Sequence, residues 1–285
     1  MTFEFRRPLG IVFSGGGAHG AWQTGCLEGL TQAGLEFDKV FGFSIGALTA
    51  AGYFLRLQSL MVDRWRNMDG NPILRFAPRL RTCSLYSHEP VWEAARKIGD
   101  DEQAKIKARC ELIVVSQCLK DWRHDYARFT PFGRGGWDGP LASKLVGSCS
   151  IPVIFPPVST PAHGLDCVLV DGCVPGKEPM RFDALADCGD IIVLQVTRLD
   201  EVGKLSSWLR RGTDQIGREA CHLMISRGIE SLEGLARRPR VFRFYPSSVL
   251  DYSQLDFQSR HCAPALEQGL SDVQDLLKNQ FSYLA

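Results

Sequence analysis

The chain has 285 residues, 45% hydrophobic and 23% charged, with 33 lysines and arginines set against 32 aspartates and glutamates for a formal net charge of +1. Such a length and composition fit one large domain, taken here as residues 1–285, and the balanced charge excludes the sequence-independent attraction to nucleic acid that a basic protein has. The longest weakly polar run, Phe41 to Leu55, is interrupted by Ser44, Thr49 and interior glycines, and is shorter than the roughly 20 apolar residues of a transmembrane helix.

Near the start, Arg6 and Arg7 are followed only by Leu9, Ile11, Val12 and Phe13 before a glycine loop. A secretory h-region needs roughly 7 to 15 apolar residues, so a cytoplasmic location is expected. The ten cysteines are scattered singly, with no CxxC pair and no Cys/His cluster at metal-ligand spacing. They are expected to be unpaired, small buried side chains in a reducing compartment, and neither a metal nor a cofactor is expected.

Leu9 to Phe13 reads as a buried strand, Ala21 to Ala33 as a helix closed by Gly34, and Phe37 to Phe43 as a second strand. Helix follows from Ile45 to Leu57 and continues to about Met68. This strand-helix-strand-helix order predicts a parallel sheet buried on both faces. Glu111–Gln117, Cys167–Val170, Asp190–Thr197 and Val241–Tyr245 are further strands of that sheet. Pro90–Ile98, Leu141–Cys149, Thr213–Leu235 and Pro264–Lys278 are predicted helices, and Asp121–Gly139 an irregular loop or hairpin.

The glycine loop admits more than one reading. Gly15, Gly17 and Gly20 satisfy GxGxxG between a strand and a helix, as in a dinucleotide-binding fold, where an acidic residue is also wanted at the end of the second strand. Asp38 lies at that strand's beginning, and Ser44 stands at its end. A phosphate-binding Walker loop is excluded because the glycines lead to Ala21 and Trp22 instead of Lys and Ser or Thr.

Gly42-Phe43-Ser44-Ile45-Gly46 is a GxSxG between an apolar strand and an Ala-rich helix. There the motif forms a nucleophile elbow: the serine takes a strained turn, and Gly42 and Gly46 let strand and helix pass closely. A serine hydroxyl needs a base. Asp171, at the end of the strand "CVLV" and followed by Gly172, places a carboxylate at a sheet edge; His222 and His261, both downstream, keep a Ser-Asp-His triad open.

Four stretches in order carry a resemblance to the bacterial patatin-like phospholipases: "SGGGAHGAWQTGCLEGL", "GFSIGALTAAG", "SCSIPVIFPPV" and "VDGCVPGKEP". The resemblance implies a three-layer α/β/α fold with a mostly parallel central sheet. It also implies hydrolysis of fatty-acid carboxylic esters, in phospholipids or related acyl lipids, by a Ser-Asp dyad without histidine. Mapped by motif, Ser44 is the nucleophile, Asp171 the base, and Gly15, Gly16 and Gly17 the oxyanion hole, with His19 and Gly20 supporting the loop.

Three positions depart from the family pattern: His19 replaces an Arg or Lys, Cys173 is the third residue of DG[GA], and Lys177 stands where Asn is expected. His19 is expected to make the loop pH-sensitive near neutrality. "IPVIFPPV" and residues 53–61 are expected to line an acyl channel, and Trp122 and Trp137 to make peripheral membrane contact. Two rivals stay open: a dinucleotide-binding protein, and a lipid-binding module that kept the fold and lost turnover.

Overall fold

In the computed structural model, residues 4–70, 73–97, 101–162, 165–197 and 208–278 are described. The elements in chain order are β1 (Leu9–Phe13), α1 (Gly20–Gln32), β2 (Lys39–Phe43), α2 (Ile45–Phe54), α3 (Gln58–Arg66), β3 (Arg75–Arg79), β4 (Ser84–Ser87), α4 (Glu89–Arg96) and α5 (Asp101–Lys107). There follow β5 (Glu111–Cys118), β6 (His124–Phe129), α6 (Leu141–Ser148), β7 (Val158–Ala162), β8 (Leu165–Asp171), β9 (Asp190–Leu194), α7 (Trp208–Glu230), β10 (Arg240–Phe244) and α8 (Ser259–Lys278).

The alternation of β1 decides the layering. Leu9, Ile11 and Phe13 join one core cluster with Trp22, Cys26, Ala47 and Leu266, from α1, α2 and α8, while Val12 joins a second with Phe182, Cys221 and Ile225 on the α7 side. Strand side chains point alternately to the two faces, so a strand apolar at every position requires cover on both. The result is the expected α/β/α sandwich. Helices α1 and α8 approach until a Cβ on Gly269 would lie 2.1 Å from the Trp22 carbonyl oxygen.

Strands β10, β9, β1, β2 and β5 are parallel in that spatial order. Beyond them the sheet becomes antiparallel. β6 pairs along one edge of β5, from Leu112 to Gln117, and makes the 121–139 region a hairpin with its partner strand. On the opposite edge of β5, β2 ends with Phe43 beside Val115, and β8 arrives head-on with Asp171 beside Ser116. The strand "CVLV" therefore joins the sheet antiparallel, and the ends of β2 and β8 meet at one point along β5.

Two expectations need correction. The helix from Ile45 does not continue to Met68: it breaks at Arg56, whose φ is 61°, and the Leu57 N–H closes back onto the Gly52 carbonyl before α3 begins. α8 starts at Ser259, with Pro264 inside its early turns. The hairpin β3–β4, the helix α5 and the strand β7 have no counterpart among the predicted elements.

Cysteine pairing is the third correction. Cys118 and Cys167 form a disulfide, which the register permits because β5 and β8 are antiparallel neighbours that pair Cys118 with Leu169; the other eight cysteines are free. A reducing compartment would hold this pair as thiols. Thiol titration of denatured protein taken from its native compartment is expected to count eight free thiols, not ten; a count of ten would reject the pairing. No helix among the described residues is long and apolar enough to cross a membrane.

Candidate active site

Ser44 lies at the junction of β2 and α2 with φ 54° and ψ −135°, a conformation that costs a non-glycine residue roughly 1 to 3 kcal/mol. Its neighbours explain the motif sterically. A Cβ at Gly42 would lie 2.4 Å from the Gly46 carbonyl oxygen, and one at Gly46 would lie 2.2 Å from that of Phe13. Either side chain would push α2 off the sheet. The turn is pinned by Ser148, whose hydroxyl accepts the Ser44 N–H at 3.0 Å and donates to the Val115 carbonyl at 2.6 Å.

Asp171 is fully buried. Its Oδ1 accepts the Cys173 N–H at 2.9 Å, while Oδ2 has no hydrogen-bond partner among the described residues. Burial pushes this carboxyl above the ordinary carboxylate range; the Cys173 N–H and thiol and the Ser44 hydroxyl pull it partly back. Ser44, which follows the last residue of β2, and Asp171, the last residue of β8, thus lie where the two strands abut on β5. Gly172 is required beside them, since a Cβ there would lie 2.4 Å from the Val115 carbonyl oxygen and 2.8 Å from the Phe43 Cβ.

The two histidines of the triad alternative are engaged with other partners. His222 bonds Gln195 and Ser226, and His261 stacks on Tyr252 and faces Asp256 at 3.5 Å. Asp38, the one acidic candidate for a ribose, sits at the opposite end of the parallel strands, where its Oδ2 accepts the Leu9 N–H at 2.7 Å and the Arg7 guanidinium at 2.9 Å. The dinucleotide reading fails on that placement.

Gly15, Gly16 and Gly17 form the turn from β1 toward α1, with φ 152° at Gly16 and 54° at Gly17. Among the described residues, nothing accepts a hydrogen bond from any of their three N–H groups. Gly17 and Ser44 share the wall of a mainly apolar cavity of ≈ 220 Å³. Ile151 and Phe155 from "IPVIFPPV" and Leu57, Leu60 and Met61 from residues 53–61 line it as expected.

The loop is braced by residues the sequence did not single out. The Ala18 N–H donates to the Gln254 carbonyl at 2.7 Å, and the Gln254 N–H donates to Asp214 Oδ1 at 2.8 Å. Asp214 Oδ2 accepts the Arg218 guanidinium at 2.6 Å, and both side chains are buried. Arg218 also reaches the Leu250 carbonyl at 3.0 Å and lies 3.4 Å from His19 Nε2. Arg218 of α7 thus places a guanidinium beside His19. Only the Asp-x-x-x-Arg spacing on one helix signals this pair in the sequence.

His19 is wholly buried, and its neutral ring donates from Nε2 to the Tyr252 carbonyl at 2.9 Å. Burial, helped by Arg218, lowers its pKa to about 3, which corrects the expected pH sensitivity near neutrality. His88 is likewise lowered by burial to about 4. Between these values and 6.5 the unfolded chain binds protons that the folded rings refuse, so stability is complete above pH 6.5 and falls as pH drops. Asp171, with a raised pKa, acts in the opposite direction. Urea midpoints measured from pH 7 to 5 are expected to lose on the order of 2 kcal/mol through His19 alone, and His19→Gln is expected to flatten the slope. An equal slope in the variant would reject the assignment.

Cys173 and Lys177, the remaining departures, differ in consequence. The Cys173 thiol touches both Asp171 and Cys221, whereas Lys177 is exposed and bonds Trp122 through its backbone. Of the two tryptophans expected at a membrane, Trp122 is exposed, but Trp137 packs against Phe54 and Phe129.

A family model described as Patatin-like phospholipase matches residues 11–175, more than half of the chain, and spans the glycine loop, Ser44 and Asp171. The chain belongs to the patatin-like phospholipase family. Among curated relatives it is 40% identical over 67 residues to the patatin-like phospholipase domain-containing protein M110.7 of Caenorhabditis elegans, covering 21% of this chain and 6% of that protein. It is 45% identical over 47 residues to lysophospholipase nte1 of Aspergillus terreus, covering 16% and 3%. The chain thus matches less than a tenth of the length of these relatives. Among solved structures it is similar to VipD from Legionella pneumophila, with TM-score 0.48 and 12% identity over 98% of this chain and 68% of that one.

Proposed function

We propose that this patatin-like chain is a serine lipid acyl hydrolase of 1–285 residues in one domain, cleaving fatty-acid carboxylic esters by a Ser44-Asp171 dyad. The observation that carries the reading is the head-on meeting of β2 and β8 on β5, which brings a strained serine beside a buried carboxylate. Asp171 in its charged form takes the Ser44 proton as the hydroxyl attacks the ester carbonyl, delivers it to the leaving alcohol, and then activates water to release the fatty acid.

Negative charge on the carbonyl oxygen is met by the N–H groups of the Gly15–Gly17 turn, among which Gly17 borders the cavity. One such donor is worth about 3 to 4 kcal/mol. The helix α2, which begins directly after Ser44, turns its positive end to the same charge. The apolar cavity takes the acyl chain, and Ile45, Leu48, Ile151 and Phe155 form its walls near Ser44. No step of this chemistry calls for a metal or a cofactor.

Fluorophosphonate labelling tests the reading directly. The probe is expected to mark Ser44 in the wild type and to mark nothing in Ser44→Ala, with His261→Ala labelled like the wild type. Lipid binding without labelling or ester cleavage favours the module that lost turnover, and loss of labelling in folded His261→Ala favours a triad. Since Asp171 must be ionised, kcat/KM is expected to fall with acid through a pKa above the usual carboxylate range.

A further inference from the structure

The segment "RFAPRLRTCSLYSH", residues 75–88, belongs to neither core nor dyad. Strands β3 and β4 form their own two-stranded sheet, joined at the tip by a turn from Leu80 to Thr82. Phe76 is 68% exposed, Leu80 97% and Leu85 42%. Val153, 59% exposed, sits beside them, because β4 is held by the Leu85 N–H donating to the Val153 carbonyl and the Tyr86 N–H to that of Ile154. An exposed leucine alone is ordinary; several contiguous apolar side chains on a protruding ribbon mark a surface that something covers.

Charge identifies what covers it. Arg75, Arg79 and Arg81 interleave with the apolar residues, residues 74–88 contain no carboxylate, and no ion pair among the described residues involves these three arginines. In a chain whose net charge is only +1, this is a local positive field. Cationic side chains alternating with Phe and Leu suit the boundary between anionic headgroups and acyl chains.

Position links the ribbon to the cavity. Ile73, just before β3, lines the cavity; so do Glu93 and Ala94 of α4, which follows β4 directly, and Lys97 just after that helix; so do Ile151 and Phe155 on either side of the residues that hold β4. Leu60, 52% exposed, lies at the same rim. The ribbon therefore adjoins the walls of the cavity on its N-terminal side, its C-terminal side and through the segment that holds β4.

We propose that the β3–β4 ribbon is the docking element that seats the cavity mouth on an anionic lipid surface. The proposal rests on the reading of the cavity as the acyl site, but docking itself needs no turnover. The test uses full-length Ser44→Ala protein and flotation with phosphatidylcholine vesicles, with and without phosphatidylglycerol. Binding is expected only with phosphatidylglycerol and is expected to weaken with salt. Adding Arg75→Gln, Arg79→Gln and Arg81→Gln is expected to reduce it on the order of a hundredfold at low salt, at about fivefold per arginine. Phe76→Ser with Leu80→Ser is expected to abolish it.

The same substitutions in the Ser44 background of the wild type are expected to leave hydrolysis of a soluble short-chain ester unchanged, which serves as the folding control. Equal binding to both vesicle types, or unchanged binding in the arginine variant, overturns the proposal. So does a concentration-dependent dimer, seen by light scattering and removed by Phe76→Ser with Leu80→Ser in protein that ignores vesicles, because the cover is then a second copy. Vesicle binding by a wild type that hydrolyses no ester would defeat the proposed activity and leave docking standing.

Discussion

Ser44→Ala is expected to lower ester turnover by about 10⁴- to 10⁶-fold while leaving the fold intact, the range seen when a serine hydrolase loses its nucleophile. Asp171→Asn is expected to fall as far or nearly so, because the dyad has a single base and the amide cannot take a proton. The two losses should not add, since each removes the same step. Steady-state kinetics on an aryl ester for both single variants and the double variant measure this. Substantial activity in Asp171→Asn would mean another base, with His222, now held by Gln195 and Ser226, and His261, now facing Asp256, as the candidates.

A second arm of that experiment reads the strain. Ser44 holds φ 54° and ψ −135°, a region that glycine enters without a Cβ penalty. Ser44→Gly is therefore expected to be as inactive as Ser44→Ala yet more stable than it, by about 1 kcal/mol in urea unfolding. Equal stabilities would mean that the backbone is relaxed at the nucleophile and that Ser148, which ties down the Ser44 N–H, carries no load.

The halves of this protein differ in how openly the sequence states them. β1, α1 and β2 were legible to within two residues because each is a continuous apolar or small-residue run ended by glycine or a change of period. Glycines at 42 and 46 announced the elbow, since only a hydrogen fits where each would meet a carbonyl oxygen. What stayed hidden was partnering. Nothing in "CVLVDG" says that β8 runs antiparallel to β5, and periodicity is blind to strand direction. Cys118 and Cys167 are 49 residues apart, so their bond becomes visible only through that pairing.

The brace of the glycine loop was hidden for a related reason. His19 was the visible departure, but its consequence depends on Tyr252, Arg218 and Asp214, all more than 190 positions away. A histidine read in isolation has a pKa near 6.5 and looks like a switch. Enclosed beside a guanidinium, it stays neutral to about 3. Likewise the ribbon at 75–88 has too few alternating residues, with Pro78 among them, to read as a hairpin by pattern.

Arg218→Met is expected to cost about 3 to 5 kcal/mol of folding stability, because it strands the Asp214 carboxylate in the interior. Asp214 and Arg218 are 4% and 3% exposed, so solvent cannot replace the lost partner. The effect should reach the active site as well. Asp214 holds the Gln254 N–H, and the Gln254 carbonyl holds the Ala18 N–H next to the oxyanion-hole turn. Losing this anchor is expected to lower kcat more than it raises KM, since the glycine N–H groups act on charge that exists only in the transition state. Removing both charges with Asp214→Leu and Arg218→Met is expected to recover much of the stability and little of the rate, because the stranded charge is gone but the Gln254 anchor is not restored. A single variant that loses less than about 1 kcal/mol, or a double variant that regains full turnover, would show that the loop holds its shape without the pair.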